Sequence, residues 1–196
     1  MTDTPSLPRP PVDATLLVGR IVDLERLDVE RHGPGLWEAI GRDRSQQTDR
    51  ALYAVIDKRG PRPQVVGLYF LLQINPAMGT AEIGLIYGAA LSRQTGGTEA
   101  FFLLARYVLE TLGYRRLEWR CAASHTASRR AALRFGFTAE GILRQTAWAK
   151  GESWDTAMFS ILDREWPAIG ARLAAWLTPE NFTESGHQIR ALAEFA

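Results

Sequence analysis

Three strand-like runs follow one another closely between residues 52 and 88: LYAVID (52 to 57), QVVGLYFLLQ (64 to 73) and TAEIGLIYG (80 to 88), with RGPRP and NPAMG between them. Gaps this short hold no crossover helix, so the runs must pair as antiparallel hairpins. That excludes a doubly wound nucleotide fold, in which strand and helix alternate throughout. The nucleotide fingerprints are also missing: there is neither a G-x-x-x-x-G-K-[ST] loop nor a G-x-G-x-x-G strand-to-helix turn followed by a distal acid.

The remaining pattern builds outward from those hairpins. Leu16 to Leu24 reads as one first strand, GPGLWEAIG (33 to 41) as a short helix and DRSQQTDR (43 to 50) as a polar loop. Past the hairpins, Phe101, Leu104, Ala105, Val108 and Leu112 recur at helical spacing. Thr98 is the expected N-cap, Glu99 suits the positive end of the helix dipole and Gly113 is the stop. RRLEWRC (115 to 121) alternates as a half-buried strand, and ASRRAALRF forms a shorter helix ending at Gly136. ILRQTAWAK and SWDTAMFSIL flank a Gly151 turn, and the tail is helical between Pro167 and Thr178. The expectation is α+β: a mostly antiparallel sheet covered by helices. It comprises a loose arm (1 to 15), a catalytic-size domain (16 to 165) and a helical extension (166 to 196). Trp37, Trp148 and Trp154 are expected in the core, with a substrate-cleft wall as the other reading.

Composition narrows the partners. A formal charge of +1 over 196 residues gives no global field for nucleic acid or an anionic membrane. The single cysteine, Cys121, excludes an internal disulfide and fits a reducing cytoplasm; in an alternating strand it reads as packed rather than nucleophilic. Three scattered histidines offer no metal-ligand spacing, and no apolar run reaches the length of a membrane span. The proline-rich start, MTDTPSLPRPPVD, has no signal-peptide core, so the expected location is the cytoplasm. Six arginines between 115 and 134 face only Glu118 in that stretch, but no nucleic-acid-binding motif accompanies them.

Gly96-Gly97 sits directly before the long helix. Locally it is either a tight strand-to-helix turn or an anion site, since helix-start N–H groups attract phosphates and glycine lets backbone approach a ligand. In their order, AEIGLIY, SRQTGGTEA with its helix, LEWRC and SHTASRRAALRFGF resemble the GNAT superfamily of acyl-CoA-dependent N-acyltransferases. The closest likeness is to the branch of ribosomal-protein N-terminal acetyltransferases. It covers roughly residues 16 to 165.

The resemblance implies a splay between the strands ending near Tyr87 and running from Leu117 to Cys121, with acetyl-CoA or another acyl-CoA as co-substrate. It implies that Arg93, Gln94, Thr95, Gly96, Gly97 and Thr98 cradle the diphosphate and that amides of Ile86, Tyr87 and Gly88 polarise the thioester. His125, Ser128, Arg129 and Arg134 would also contact the cofactor. His125 stands where the family usually has asparagine, and the glycine turn departs from the usual Q/R-x-x-G-x-G/A. A glutamate characteristic of the ribosomal branch is replaced by Ala147.

N-acylation needs a neutral amine, a stabilised oxyanion and a proton for the leaving thiolate. On the resemblance, Glu82 is the base, and Ser128, or else Tyr87, serves the thiolate; no metal is called for. The acceptor is a small-molecule or peptide amine. The acyl group is open, acetyl and acidic acyls such as succinyl included. The C-terminal hairpin and tail could pair two chains as a homodimer. A non-catalytic acyl-CoA-binding module is the alternative reading.

Overall fold

The structure is a computed structural model and describes residues 9 to 40, 50 to 92, 94 to 149 and 151 to 195. It divides into two compact units, Met1–Arg115 and Arg116–Ala196.

In the first unit five strands lie in chain order, every neighbour antiparallel: β1 (Leu16–Val18), β2 (Val22–Arg26), β3 (Ala51–Asp57), β4 (Gln64–Asn75) and β5 (Thr80–Tyr87). The hairpins from 52 to 88 are therefore as the short gaps require. The expected single first strand is instead two, folded back at Gly19. A side chain at Gly19 would collide with the Val22 carbonyl and approach the Glu99 carboxyl carbon at 3.0 Å. Glu99, buried in the helix that follows β5, accepts the backbone N–H groups of Arg20 (2.9 Å), Ile21 (2.6 Å) and Val22 (2.8 Å). That carboxylate does not face solvent at a helix end; it fills a turn that would otherwise bury three unpaired donors.

Helix α1 (Val29–Ile40) starts four residues before the expected point and takes Pro34 inside it. Asp28 Oδ1 accepts the Arg31 N–H, and His32 Nδ1 accepts the N–H of Asp28, which together secure the earlier start. Helix α2 (Thr95–Arg106) runs into a π-helical turn (Tyr107–Thr111) and stops at Gly113, where φ is +65°. Phe101, Leu104, Ala105, Val108 and Leu112 are all buried, so the apolar stripe is real.

In the second unit β6 (Arg116–Ala122) pairs antiparallel with β8 (Glu152–Leu162), which pairs antiparallel with β7 (Thr138–Ala149). Helix α3 (Thr126–Phe135) follows β6 and ends at Gly136 in the left-handed region (φ +105°); helix α4 (Trp166–Trp176) follows β8. Trp119 is the packing centre, with its ring centroid 6.0 Å from that of Phe135 and 5.6 Å from that of Phe137.

Among the described residues, eight strands and four α-helices with antiparallel pairing in each unit give the expected α+β class. Three tryptophans depart from expectation: Trp37, Trp148 and Trp154 are 65%, 74% and 37% exposed. Trp37 rides the outer side of α1, and the other two lie near the tip of the β7–β8 hairpin, where the strand residues are mostly exposed. Among the described residues no helix is long and apolar enough to cross a membrane.

Candidate active site

The start of α2 is built by packing. Its N-cap is Gln94, not Thr98, so Gly96 and Gly97 lie inside the first turn and Thr98 is its fourth residue, buried. A Cβ on Gly96 would stand 3.0 Å from Val22 Cγ1 and 3.3 Å from Leu91 Cδ1; one on Gly97 would stand 3.0 Å from the Tyr87 hydroxyl. The glycines therefore let α2 press onto its own sheet. From Gln94 to Thr98, Gln94 is exposed and Thr95 half-buried, while Gly96, Gly97 and Thr98 are buried.

The backbone before the helix is wound tightly. Leu91 and Ser92 N–H groups donate to the Gly88 carbonyl (3.1 and 3.3 Å), and Gln94 N–H to Leu91 (3.2 Å). The Gly97 N–H donates to the Gln94 carbonyl (3.2 Å), while the N–H groups of Thr95 and Gly96 come before any helical acceptor, and the dipole makes that end positive. With so little side chain outside it, the turn fits an anion such as a diphosphate. Arg93 lies outside the described residues. Among the described residues, Arg59 brings a guanidinium to the rim: Nη1 reaches Gln94 Oε1 at 3.5 Å while Nη2 pairs with Asp57 at 2.7 Å. The Arg59 hydrogen bonds hold the Asp57 carboxyl below the usual carboxylate range. Sequence reading passed over Arg59 because it sits in a generic hairpin turn, 35 residues away in the chain from Gln94.

Strand β5 carries Glu82 and Tyr87. Glu82 is buried, 8% exposed, opposite Leu72 of β4. Tyr87 is committed to α2: its hydroxyl donates to the Gly97 carbonyl (3.0 Å) and meets the Tyr69 hydroxyl (2.6 Å), which also reaches Gly97 O (3.1 Å). Two phenols thus hold one carbonyl of the helix start. The amides from Ile86 to Gly88 are not equivalent. Gly88 N–H donates to Val66 of β4 (3.0 Å), and by strand alternation Ile86 N–H turns the same way, leaving the Tyr87 amide directed away from β4.

In the second unit His125 is the N-cap of α3, its Nδ1 accepting the Ser128 N–H at 3.1 Å. It is exposed and does for this helix what an asparagine side chain would do. Ser128 Oγ accepts the Trp119 indole N–H at 3.1 Å, so the hydroxyl's own proton is directed elsewhere. Arg129 donates to the Ala123 carbonyl (3.2 Å). Arg134 is at the opposite end of α3, its guanidinium 5.1 Å over the Trp176 ring. The structure gives Arg134 a packing contact and keeps it apart from His125 and Ser128.

The arginine-rich stretch is less basic than it reads. Arg116 pairs with Glu118 (2.9 Å) and, through both terminal nitrogens, with Glu140 (2.6 Å each); Arg120 pairs with Glu118 (3.0 Å). The Arg116 hydrogen bonds, with that from Ser160, pull the Glu140 carboxyl down to about 2. Glu140 arrives from β7, beyond the stretch where Glu118 stood alone. Cys121 is half-buried at the end of β6. Among the described residues no three His, Cys, Asp or Glu side chains gather as a metal site.

The sequence profile of the acetyltransferase (GNAT) domain matches residues 28 to 138. A GCN5-related N-acetyltransferase from Brucella melitensis is 40% identical, with TM-score 0.90 and 96% of each chain covered. An uncharacterized N-acetyltransferase, p20, from Bacillus licheniformis is 32% identical over 103 residues, 53% of this chain and 58% of that protein. A ribosomal-protein α-N-acetyltransferase in complex with coenzyme A aligns at 19% identity with TM-score 0.64, covering 75% of this chain and 97% of that one. At that identity the likeness is one of fold alone.

Proposed function

The chain belongs to the GNAT acetyltransferase family, whose chemistry is acyl-CoA-dependent N-acyl transfer, and we propose that the start of α2 receives the coenzyme A diphosphate in that reaction. The observation that carries this reading is a helix N-terminus stripped of side chains and fastened from behind. Gly96 and Gly97 face the sheet, Tyr69 and Tyr87 hold the Gly97 carbonyl, and Glu99 ties the helix to the β1–β2 turn. Rigid amides aimed at a fixed place lose little entropy when an anion arrives. Arg59, at the rim, adds a cation.

The acyl donor is most simply acetyl-CoA. The acceptor amine attacks the thioester carbonyl directly: a C–N bond forms, the C–S bond breaks, the nitrogen loses a proton and the thiolate gains one. Glu82 takes the amine proton, directly or through water, and the Tyr87 amide polarises the carbonyl. Ser128 supplies the proton that the leaving thiolate gains, because its hydroxyl proton is not used by Trp119; Tyr87 is less suited, its hydroxyl being spent on Gly97. His125 and Arg129 shape the backbone beside Ser128. An α-amine, neutral in roughly a tenth of molecules at pH 7, asks only a modest base. Cytoplasmic location and pairing of two chains through the β7–β8 hairpin and tail belong to the same proposal. A binding-only module is not favoured, since the matched relatives are N-acetyltransferases.

The test is acetyl-CoA turnover, followed by thiol release, across α-amines, peptides and polyamines. Glu82→Gln is expected to lower kcat by about 10²-fold or more with KM for acetyl-CoA little changed. An unchanged kcat would remove Glu82 from the mechanism.

A further inference from the structure

At the end of β6 a cleft of ≈ 390 Å³ opens against the outer half of the β7–β8 hairpin, lined by Arg120, Cys121, Leu143, Thr146, Trp154 and Thr156 among others. It exists because the hairpin's pairing breaks between Leu143 and Ala147. Gln145 adopts φ +52° there, unusual for a residue with a side chain, and Asp155 Oδ1 accepts its N–H at 2.9 Å to hold it. Thr146 is thereby brought onto Thr156, hydroxyl to hydroxyl at 2.8 Å. A strained, specifically fastened break in a long strand is a built feature.

The chemistry of the lining is one-sided. It contains one guanidinium, two threonine hydroxyls and a tryptophan wall, and no carboxylate. Glu140, a nearby acid, is taken up by Arg116 and Ser160. Glu118 is divided between Arg116 on one oxygen and Arg120 on the other. When Thr146 donates to Thr156, its shorter contact, the Thr156 hydroxyl keeps its own proton to donate outward. A polyamine or any multiply charged cation would meet a guanidinium already paired with Glu118 and no carboxylate in the lining. A carboxylate beside an apolar body would meet a guanidinium, a hydroxyl and an aromatic face.

We infer that this cleft seats a carboxylate-bearing end of the substrate, with Arg120 as a specificity-determining residue. The inference rests on the acyl-transfer reading and deepens it by naming a substrate class. The carboxylate belongs either to the acceptor, as in an amino acid or peptide, or to the acyl group, as in a dicarboxylic monothioester; both put the same group in the same cleft.

Steady-state kinetics on the full chain decide it. One arm uses acetyl-CoA with an amino acid, its carboxamide and spermidine; the other uses a neutral amine with succinyl-CoA or acetyl-CoA. In one arm the carboxylate raises kcat/KM by about tenfold or more. Arg120→Gln removes that preference by about 10- to 100-fold while changing the uncharged partner by less than about threefold. Arg120→Lys, which keeps a charge for Glu118, retains part of it, and Thr156→Val weakens it without touching the ion pairs. Preference for spermidine, indifference to the carboxylate in both arms, or an equal loss on all substrates in Arg120→Gln overturns the inference and leaves acyl transfer standing. Failure to bind coenzyme A, with no turnover of any amine, overturns acyl transfer and the inference with it.

Discussion

Two helices start beside a strand end in this molecule, and they are held in opposite ways. The first turn of α2 is buried on one side, made of glycines and fastened by three side chains from α2 itself and the sheet: Glu99, Tyr69 and Tyr87. The first turn of α3 is exposed and held by the His125 imidazole and by Ser128, whose hydroxyl accepts the Trp119 indole N–H. Both present N–H groups to their surroundings, and α2 has its first turn fastened from behind by more groups than α3, which has the Ser128 contact to Trp119. The contrast teaches that free amides alone do not make a binding element; what distinguishes α2 is the rigidity of the backbone that carries them.

If that contrast is right, damage behind α2 should cost far more than damage at α3. Glu99→Ala leaves the N–H groups of Arg20, Ile21 and Val22 without an acceptor, and a loss of about 3 kcal/mol is expected in urea unfolding. Coenzyme A affinity should fall with it, and a loss below about 1 kcal/mol would mean that water replaces the carboxylate. Gly97→Leu drives a side chain against the Tyr87 hydroxyl and should cost about 1–3 kcal/mol despite the better helix propensity of leucine. Gly97→Ala should come out near neutral, because the propensity gain of about 1 kcal/mol offsets a contact that Tyr87 can relax.

Tyr69→Phe and Tyr87→Phe should each cost about 1 kcal/mol, and the double variant less than their sum, since the hydroxyls share Gly97 O. Strict additivity would show that the two act independently. At α3, His125→Ala should lose about 1 kcal/mol, with His125→Asn restoring most of it. The smallest effect is acid-dependent. Glu140 has its pKa lowered in the folded state, so its contribution is present above the ordinary carboxyl range and fades as pH falls toward about 2. The stability gap between wild type and Glu140→Gln should therefore close between pH 5 and pH 2, roughly.

The hairpins and the α2 stripe were legible in the sequence because both depend on local periodicity, which Phe101, Leu104 and Val108 display directly. Where α2 begins was not. Gly96 and Gly97 look like a preceding turn, but contact with Val22, Leu91 and Tyr87 makes them the helix's first turn, and that demand comes from distant chain. Gly19 was unremarkable until Glu99, eighty residues on, folded β1 from β2. Long-range pairing also hid Arg59 beside Gln94 and Glu140 beside Arg116. The exposed tryptophans misled for a related reason: apolar type predicts burial only where another element arrives to cover it.

The central claim is that the start of α2 carries the coenzyme A diphosphate. A backbone NMR titration of the nitrogen-15-labelled chain with coenzyme A tests it most directly. The account predicts saturable shifts concentrated in the amides from Gln94 to Thr98, reduced in dephosphorylated pantetheine, which lacks the diphosphate. Saturable binding that leaves those amides unmoved would contradict it.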